Sequence, residues 1–488
     1  MGSNLASIIW NQSAITPKRN FIEGINRSYS YSQAKSAIGA MAESLLSRGI
    51  EKGDRIMIVS SNNPETLLLF MACYAIGAIA ILLHEDSTIE TISYIEKEAN
   101  PALIYVDEQL QYKTNSLVNQ VITLDYEFRD KQDENCFQPV SVPEKTPAFI
   151  VYTSGSTGKP KGVTLTHQNV LFVITAIQKR LNYQTNDIVG LFIPLSFDYG
   201  LYQAFLCAQV GATVLLRNST FTGPILPSLI EKYQLTVLPG LPNLFETLIT
   251  IAQRRNMSLT SLKKITNTGS HLPSSFIGEL QKIAPNAEVY PMYGLTECKR
   301  VSILLPEEVH ARPGSCGRPL DGTQAWVVRE DGSHANVGEV GELVVKGPHV
   351  SLGYWNSPSE NEKRFKTDDN GDALLFTGDH FTQDKDGYLY YVSRMDEQIK
   401  RNGFRINRME IEETALDLEG INNAVLIQSP KKLILFLTAD NAMSPTEVMT
   451  ALMGKLETYK IPDEIRFVEA IKTTKNGKVD SRAMEALV

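Results

Sequence analysis

Short apolar runs recur along most of the chain, each followed by an amphipathic stretch. The runs "DRIMIVS", "ALIYV", "VGLFIPLS", "ATVLLR" and "LTVLPGL" show little alternation of apolar with polar residues. Runs of this kind are strands buried on both faces, and such strands belong to parallel sheets covered by helices. Intervening stretches such as Pro224 to Tyr233 read as those helices. An α/β architecture with parallel and mixed sheets follows. From about Asp321 the texture changes to short strands, "QAWVV", "GELVV" and "GYLYYV", with turns at Asp331-Gly332 and Asp386-Gly387. This predicts a small β-barrel-like subdomain within the larger domain.

At 488 residues the chain is too long for one hydrophobic core. Its last ~90 residues carry their own pattern, the size of a small α+β domain. The helix "RMEIEETALDLEG" precedes strands "NAVLI" and "LILFLT" and a helix around Thr446 to Leu456. The expected division is 1–395 and 396–488, with the boundary near Asp396.

A net charge of -8 argues against nucleic acid as the main partner, since phosphate backbones are bound by basic surfaces. The five cysteines (73, 136, 207, 298 and 316) are scattered and never spaced C-x-x-C, which predicts neither a disulfide framework nor a zinc site. The N-terminal "MGSNLASIIW" lacks the cationic and cleavable apolar regions of a secretory leader. Leu67 to Leu83 is uncharged and apolar, but short for a membrane span of about 20 residues. It reads better as a buried helix capped by Asn63, with Pro64 at its first position and Gly77 at its end, followed by the strand "AIAILL". A soluble, cytoplasmic protein is expected.

Residues 152–162, "YTSGSTGKPKG", hold three glycines, four Ser/Thr hydroxyls and two lysines. Ordering such a loop is expensive, because glycine loses the most backbone freedom on folding. The nearest precedent is the phosphate-cradling loop G-x-x-x-x-G-K-[ST], but Pro160 stands where its Mg²⁺-binding hydroxyl belongs. Here too "GVTLTH" continues as a strand, so the loop joins strand to strand. A nest of N–H groups, hydroxyls and lysines suits a polyphosphate; a flexible Gly/Ser hairpin is the alternative.

The stretch resembles the signature of the adenylate-forming superfamily of acyl-CoA synthetases, luciferases and nonribosomal peptide synthetase adenylation domains. Further matches follow in that family's order: "PLSFDYG" (194–200), "NTGSHLP" (267–273), "YGLTE" (293–297), "TGD" (377–379), "RMDEQIKRNGFRIN" (394–407) and "NGKVD" (476–480). Upstream, "NNPE" before an apolar helix is also similar. One match alone would be weak, but seven in order are specific. The resemblance implies a large N-terminal domain, a small mobile C-terminal domain, and a site between them.

The reaction it implies has two halves. A carboxylate attacks the α-phosphorus of ATP, releasing pyrophosphate, and a thiol or other nucleophile then takes the acyl group from the adenylate. The first half needs positioned cations and N–H donors around the triphosphate. By resemblance Thr153, Ser154, Gly155, Ser156, Thr157, Gly158 and Lys161 hold the β- and γ-phosphates. Tyr293 stacks on adenine, with Gly269 and Ser270 at its border. Thr296 touches the α-phosphate, and Glu297 holds Mg²⁺, which keeps waters and phosphate oxygens as its other ligands. Asp379 accepts the ribose hydroxyls, assisted by Arg394. Lys478 is the transition-state cation brought by the small domain, and Asp396 is the hinge. His271 reads as a wall or surface group. Ser393, where many relatives carry Gly, is a departure of little consequence.

Asp198 bears on the choice of carboxylate. Amino-acid-activating relatives carry an aspartate here for the substrate ammonium, and a buried aspartate without a partner is costly. Alternatively, Asp198 pairs with Lys299 or Arg300. The other expected pocket residues are Tyr199, Tyr202, Pro239, Thr266, Thr268, Met292 and Arg300, a compact cavity poorly suited to a long chain. The leading expectation is an ATP- and Mg²⁺-dependent ligase that loads an amino acid, possibly proline, onto the phosphopantetheine thiol of a carrier protein supplied in trans. Rival readings are an acyl-CoA or aryl-CoA ligase and a non-catalytic ATP-binding homologue.

Overall fold

The computed structural model describes residues 4–124, 137–153, 160–217, 223–394, 399–401, 404–406, 408–429, 432–440, 443–456, 460–474 and 479–487. Two large sheets dominate the first 320 residues. One has six strands in the order Val121–Thr123, Leu103–Val106, Arg55–Ser60, Ile79–His84, Pro147–Thr153 and Lys161–Thr166. All neighbours are parallel except the last two, which pair antiparallel from Pro147↔Thr166 to Thr153↔Lys161. The glycine-rich loop therefore joins strand to strand, as its sequence predicts.

The second sheet has nine strands. Its centre, Glu288–Tyr293, Lys264–Asn267, Val237–Gly240, Ile188–Leu191, Thr213–Leu216 and Asn20–Glu23, is parallel throughout. Antiparallel strands close both edges. These central strands are the unalternated runs of the sequence, and nearly all their residues are buried.

The helices Pro64–Ala75 and Asp198–Val210 contribute to one apolar core with strands of both sheets, among them Ile56, Ile58, Val189 and Leu191. Helix Pro64–Ala75 is buried at every position, which explains why its sequence is apolar after the first turn. The Asn63 side chain caps it by accepting from Thr66 N, and Gly77 takes φ +77° beyond its end. Among the described residues no helix is long and apolar enough to cross a membrane. Cys73, Cys207 and Cys298 are buried free thiols, and Cys316 is half-buried. Cys136 lies outside the described residues.

Beyond Asp321, five antiparallel strands form the expected small subdomain: Gln324–Val328, Gly341–Lys346, Phe365–Thr367, Ala373–Gln383 and Leu389–Arg394. The long strand Ala373–Gln383 pairs with three neighbours and carries a register shift at His380/Phe381, which bends the sheet. The final segment builds Ile421–Gln428, Leu433–Ala439 and Glu464–Phe467 into a separate sheet. With helices Arg408–Leu416 and Pro445–Met453 it encloses its own core of Ile411, Leu426, Leu435, Leu437, Val448 and Leu452. The strand Glu464–Phe467 escapes sequence reading because "EIRF" is only four residues long and half of them are charged. The predicted boundary and hinge, Asp396, lies outside the described residues.

Candidate active site

A cleft of about 1010 Å³ opens at the carboxyl ends of the central parallel strands. It runs on to residues of the C-terminal segment, including Glu412, Asn423 and Val479. Two groups of charged side chains line it.

The first group surrounds the segment Tyr293 to Arg300. Gly294 allows the chain to double back, since a Cβ there would lie 1.8 Å from the Lys299 carbonyl oxygen. Lys299 itself takes φ +65°, a conformation that non-glycine residues avoid and that is held only by strong surrounding packing. The turn sends Lys299 against Asp198 at the start of helix Asp198–Val210. Lys299 Nζ donates to Asp198 Oδ2 at 2.8 Å, with side-chain exposures of 4% and 11%. Burial pushes the Asp198 carboxyl up, but Lys299 and Arg300 outweigh it and hold it below its ordinary value. Asp198 is an ionised, paired carboxylate.

Arg300, 6% exposed, lies over the Tyr199 ring at 5.6 Å and donates through Nη1 to Thr268 Oγ1. Among the described residues its Nε is buried without a hydrogen-bond partner, as is the Tyr202 hydroxyl. Of the three side chains Asp198, Lys299 and Arg300, one is anionic and two are cationic, a net charge of about +1, and they sit beside unspent donors. Met292 and Tyr202 line it too. Two expected pocket residues do not. Pro239 is buried in its strand, and Thr266 is fully covered by Tyr199, whose hydroxyl sits 2.7 Å from both Thr266 O and Thr266 Oγ1. Tyr199 is wide enough to intervene, so Thr266 supports the pocket wall without reaching the cavity.

The second group gathers farther along the cleft. Tyr293 donates to Asp379 Oδ2 at 2.6 Å and packs edge-on against Phe381, with ring centroids 4.6 Å apart. Burial pushes the Asp379 carboxyl up to about 6, against the lowering influence of the Tyr293 hydrogen bond and Arg394. Arg394 Nε is 3.7 Å from Asp379 Oδ1. Glu297 Oε1 accepts from Tyr354 at 2.6 Å, and Ser351 N donates to the Glu297 carbonyl at 2.8 Å. Thr153, Lys161, Gly269, Ser270 and Thr296 line the same cleft. Gly269 takes φ +85°, as the turn after Asn267 requires.

Among the cleft residues that the sequence reading does not name are Tyr354 and Arg364, and it names Lys299 only as an alternative partner of Asp198. Arg364 donates from Nη1 to the Thr377 carbonyl at 2.7 Å and lies against Gly378. The glycine in "TGD" was the available signal, because a Cβ there would press within 2.9 Å of Arg364 Nη2. His271, expected as a wall or surface group, lies 2.5 Å from Glu413 Oε1 on the C-terminal segment. Ser154, Gly155, Ser156, Thr157, Gly158 and Lys478 lie outside the described residues, as does Asp396.

One wall of the cleft thus offers anionic acceptors beside the base of a glycine-rich phosphate loop, and the other a cationic pocket. Residues 9–355 match the pattern of the AMP-binding enzymes. The chain belongs to that family. AMP-binding enzymes of this kind are adenylate-forming ligases, and this chain is a member of the class.

Among curated relatives it is similar to tyrocidine synthase 3 of Brevibacillus parabrevis, 26% identical over 495 residues. That alignment covers 98% of this chain but only 8% of the synthase, so the chain spans a small fraction of that relative. The fold superposes on ATP-bound MatB from Rhodopseudomonas palustris with a TM-score of 0.90, at 22% identity, covering 100% of this AMP-binding enzyme and 99% of MatB. A structure of VinN in complex with L-aspartate is 28% identical with a TM-score of 0.74, covering 80% of this chain and 98% of VinN.

Proposed function

We propose that the protein activates a small acid bearing a second carboxylate, an acidic amino acid first among them. It forms the acyl-adenylate from ATP with release of pyrophosphate. It then passes the acyl group to the phosphopantetheine thiol of a separate carrier protein. The observation that carries the substrate class is the charge of the pocket. Asp198 already has a counter-ion in Lys299. A neutral amino acid such as proline brings equal positive and negative charge and leaves the excess of one carried by Asp198, Lys299 and Arg300 uncancelled. A second carboxylate cancels that excess and supplies an acceptor for the unpartnered Arg300 Nε. The similarity to VinN, solved with L-aspartate, supports the amino acid form, and the similarity to peptide synthases supports a carrier protein as acceptor.

In this reading Glu297 holds Mg²⁺ together with phosphate oxygens and waters. The residues present fit it. One carboxylate oxygen is fixed by Tyr354, and both side chains line the cleft. No cluster of three or more metal-ligating side chains occurs among the described residues, as suits an ion that takes most of its ligands from phosphate and water. When bound, the ion supplies charge neutralisation on the phosphates. Thr153, Lys161 and the loop between them grip the β- and γ-phosphates, Thr296 the α-phosphate, and Asp379 the ribose hydroxyls, with Arg394 beside it. Tyr293, Gly269 and Ser270 border adenine. Residues 396–488 act as the movable domain, turning about Asp396 to bring Lys478 to the reacting carboxylate.

Exchange of labelled pyrophosphate into ATP across an acid panel tests the substrate class. Exchange is expected with acidic amino acids, more weakly with diacids lacking the amino group, and not with proline. Exchange with proline alone would overturn the charge argument. Arg300→Gln is expected to raise KM for the acid by about tenfold or more, as loss of a charge-assisted hydrogen bond does. The KM for ATP stays unchanged, and that split checks the placement of Arg300. Supplying CoA and a phosphopantetheinylated carrier protein side by side identifies the thiol acceptor.

The environment of Asp379 gives a pH dependence. Its carboxyl is pushed up to about 6, so lowering the pH from 7 to 5 protonates it. The neutral acid keeps fewer acceptor sites for two ribose hydroxyls. KM for ATP is therefore expected to rise roughly tenfold over that range, following the fraction ionised. Asp379→Asn should show weak binding that no longer changes with pH around 6.

A further inference from the structure

Lys161 closes the base of the phosphate loop in register with Thr153, yet its ammonium is already engaged. Lys161 Nζ donates to Glu360 Oε2 at 2.5 Å, with side-chain exposures of 14% and 25%. Glu360 lies on the short helix Pro358–Arg364 and is not among the residues that line the cleft, whereas Lys161 is. Its other oxygen, Oε1, accepts from Lys363 at 2.6 Å, and Lys363 is 69% exposed. The two lysines hold the Glu360 carboxyl well below its ordinary value, to about 2. Lys161 also lies over the Tyr354 ring at 5.4 Å, and Tyr354 is the residue that donates to Glu297.

The Lys161 ammonium has three N–H donors, and one of them is already spent on Glu360, so a phosphate that takes Lys161 must share or displace that carboxylate. When phosphate draws Lys161 into the cleft, Glu360 keeps Lys363 and is not left uncompensated, so the exchange carries little penalty. When the phosphate departs, the carboxylate is placed to take the ammonium back. The Tyr354 ring supports the lysine in its resting position, at the residue that also orients Glu297.

We propose that Glu360 is a positioning residue that competes with pyrophosphate for Lys161 and thereby promotes pyrophosphate release. The exchange moves a hydrogen bond and no proton. The inference rests on the reading that Lys161 grips the pyrophosphate.

The test uses Glu360→Gln in the full chain and reads KM for pyrophosphate in pyrophosphate–ATP exchange, with inhibition of thioester formation by added pyrophosphate as a second readout. Removing the competitor is expected to lower that KM and the inhibition constant together, by about three- to fivefold, the size of a partly exposed ion pair. The KM for the acid stays within twofold. Unchanged or weaker pyrophosphate binding in a variant that folds normally would overturn the proposal. So would a general fall in turnover with no pyrophosphate-specific effect, the result of a merely structural role.

Lys161→Ala separates this inference from the reading beneath it. If that change does not weaken pyrophosphate, the assignment of Lys161 fails, and Glu360 with it. If it does weaken pyrophosphate while Glu360→Gln has no effect, only the competition fails. In the double variant the Glu360→Gln effect is expected to vanish, because the lysine for which it competes is gone.

Discussion

Lys478→Ala is expected to lower the rate of adenylate formation by about a thousandfold, the scale of losing one preorganised charge at a developing anion. The same variant should consume presynthesised acyl-adenylate at the normal rate. The two halves separate because negative charge builds on the α-phosphorus only in the first, whereas the second attacks a carbonyl already activated. Lys478 lies outside the described residues, but Thr473 and Val479 on either side of it line the cleft and bridge to each other. The expectation rests on that position and on the match of "NGKVD" to the family. On the proposed reading Lys161 offers no substitute, because it grips the departing pyrophosphate; in the structure it is paired with Glu360. Rapid-quench measurement of adenylate, alongside thioester formation from synthetic acyl-adenylate, checks this. Equal loss in both assays would remove Lys478 from its role.

Lys299→Met is expected to give the largest loss of stability, about 3 kcal/mol or more. The change strands Asp198, which is 8% exposed, as a buried carboxylate without its counter-ion. Arg300 offsets part of the loss, since it also acts on Asp198 electrostatically, so the lower end of the usual 3–5 kcal/mol is expected. Replacing both partners, Asp198→Asn with Lys299→Met, should recover part of the stability, because Asp198 is no longer stranded although the buried Arg300 loses a nearby carboxylate. Urea unfolding of the three variants decides the matter through their midpoints at constant m. A double variant no more stable than Lys299→Met would mean that the pair is not what Lys299 contributes. The backbone adds a second check. Lys299→Gly relieves the φ of +65° and should therefore cost less than Lys299→Met.

The scaffold was largely legible in the sequence because its signals are local. The unbroken apolar strands declare burial on both faces, and Asn63-Pro64 announces a helix start in two residues. The strand-to-strand nature of the glycine-rich loop follows from what continues after Gly162. Of the site residues that the motif resemblance implies, the cleft brings together those among the described residues, apart from Pro239 and Thr266. The burial of Thr266 under the Tyr199 hydroxyl depends on where that ring turns, and no local pattern records that.

The sequence by itself determined the α/β layering, the antiparallel subdomain, the separate C-terminal unit and the family of the site. Periodicity, caps and glycine-dependent turns act over a few residues and survive in the linear order. Only the tertiary structure decided which charge neutralises which. Asp198 meets Lys299 from 101 residues away, Glu297 meets Tyr354 from 57, and Lys161 meets Glu360 from 199. An ionic interaction depends on the separation and burial of its partners, and only the packing of strand ends and helix starts sets those. Asp198 in the sequence is an aspartate awaiting an ammonium. In the folded protein it is already paired, and among the described residues the unsatisfied groups beside it are Arg300 Nε and the Tyr202 hydroxyl.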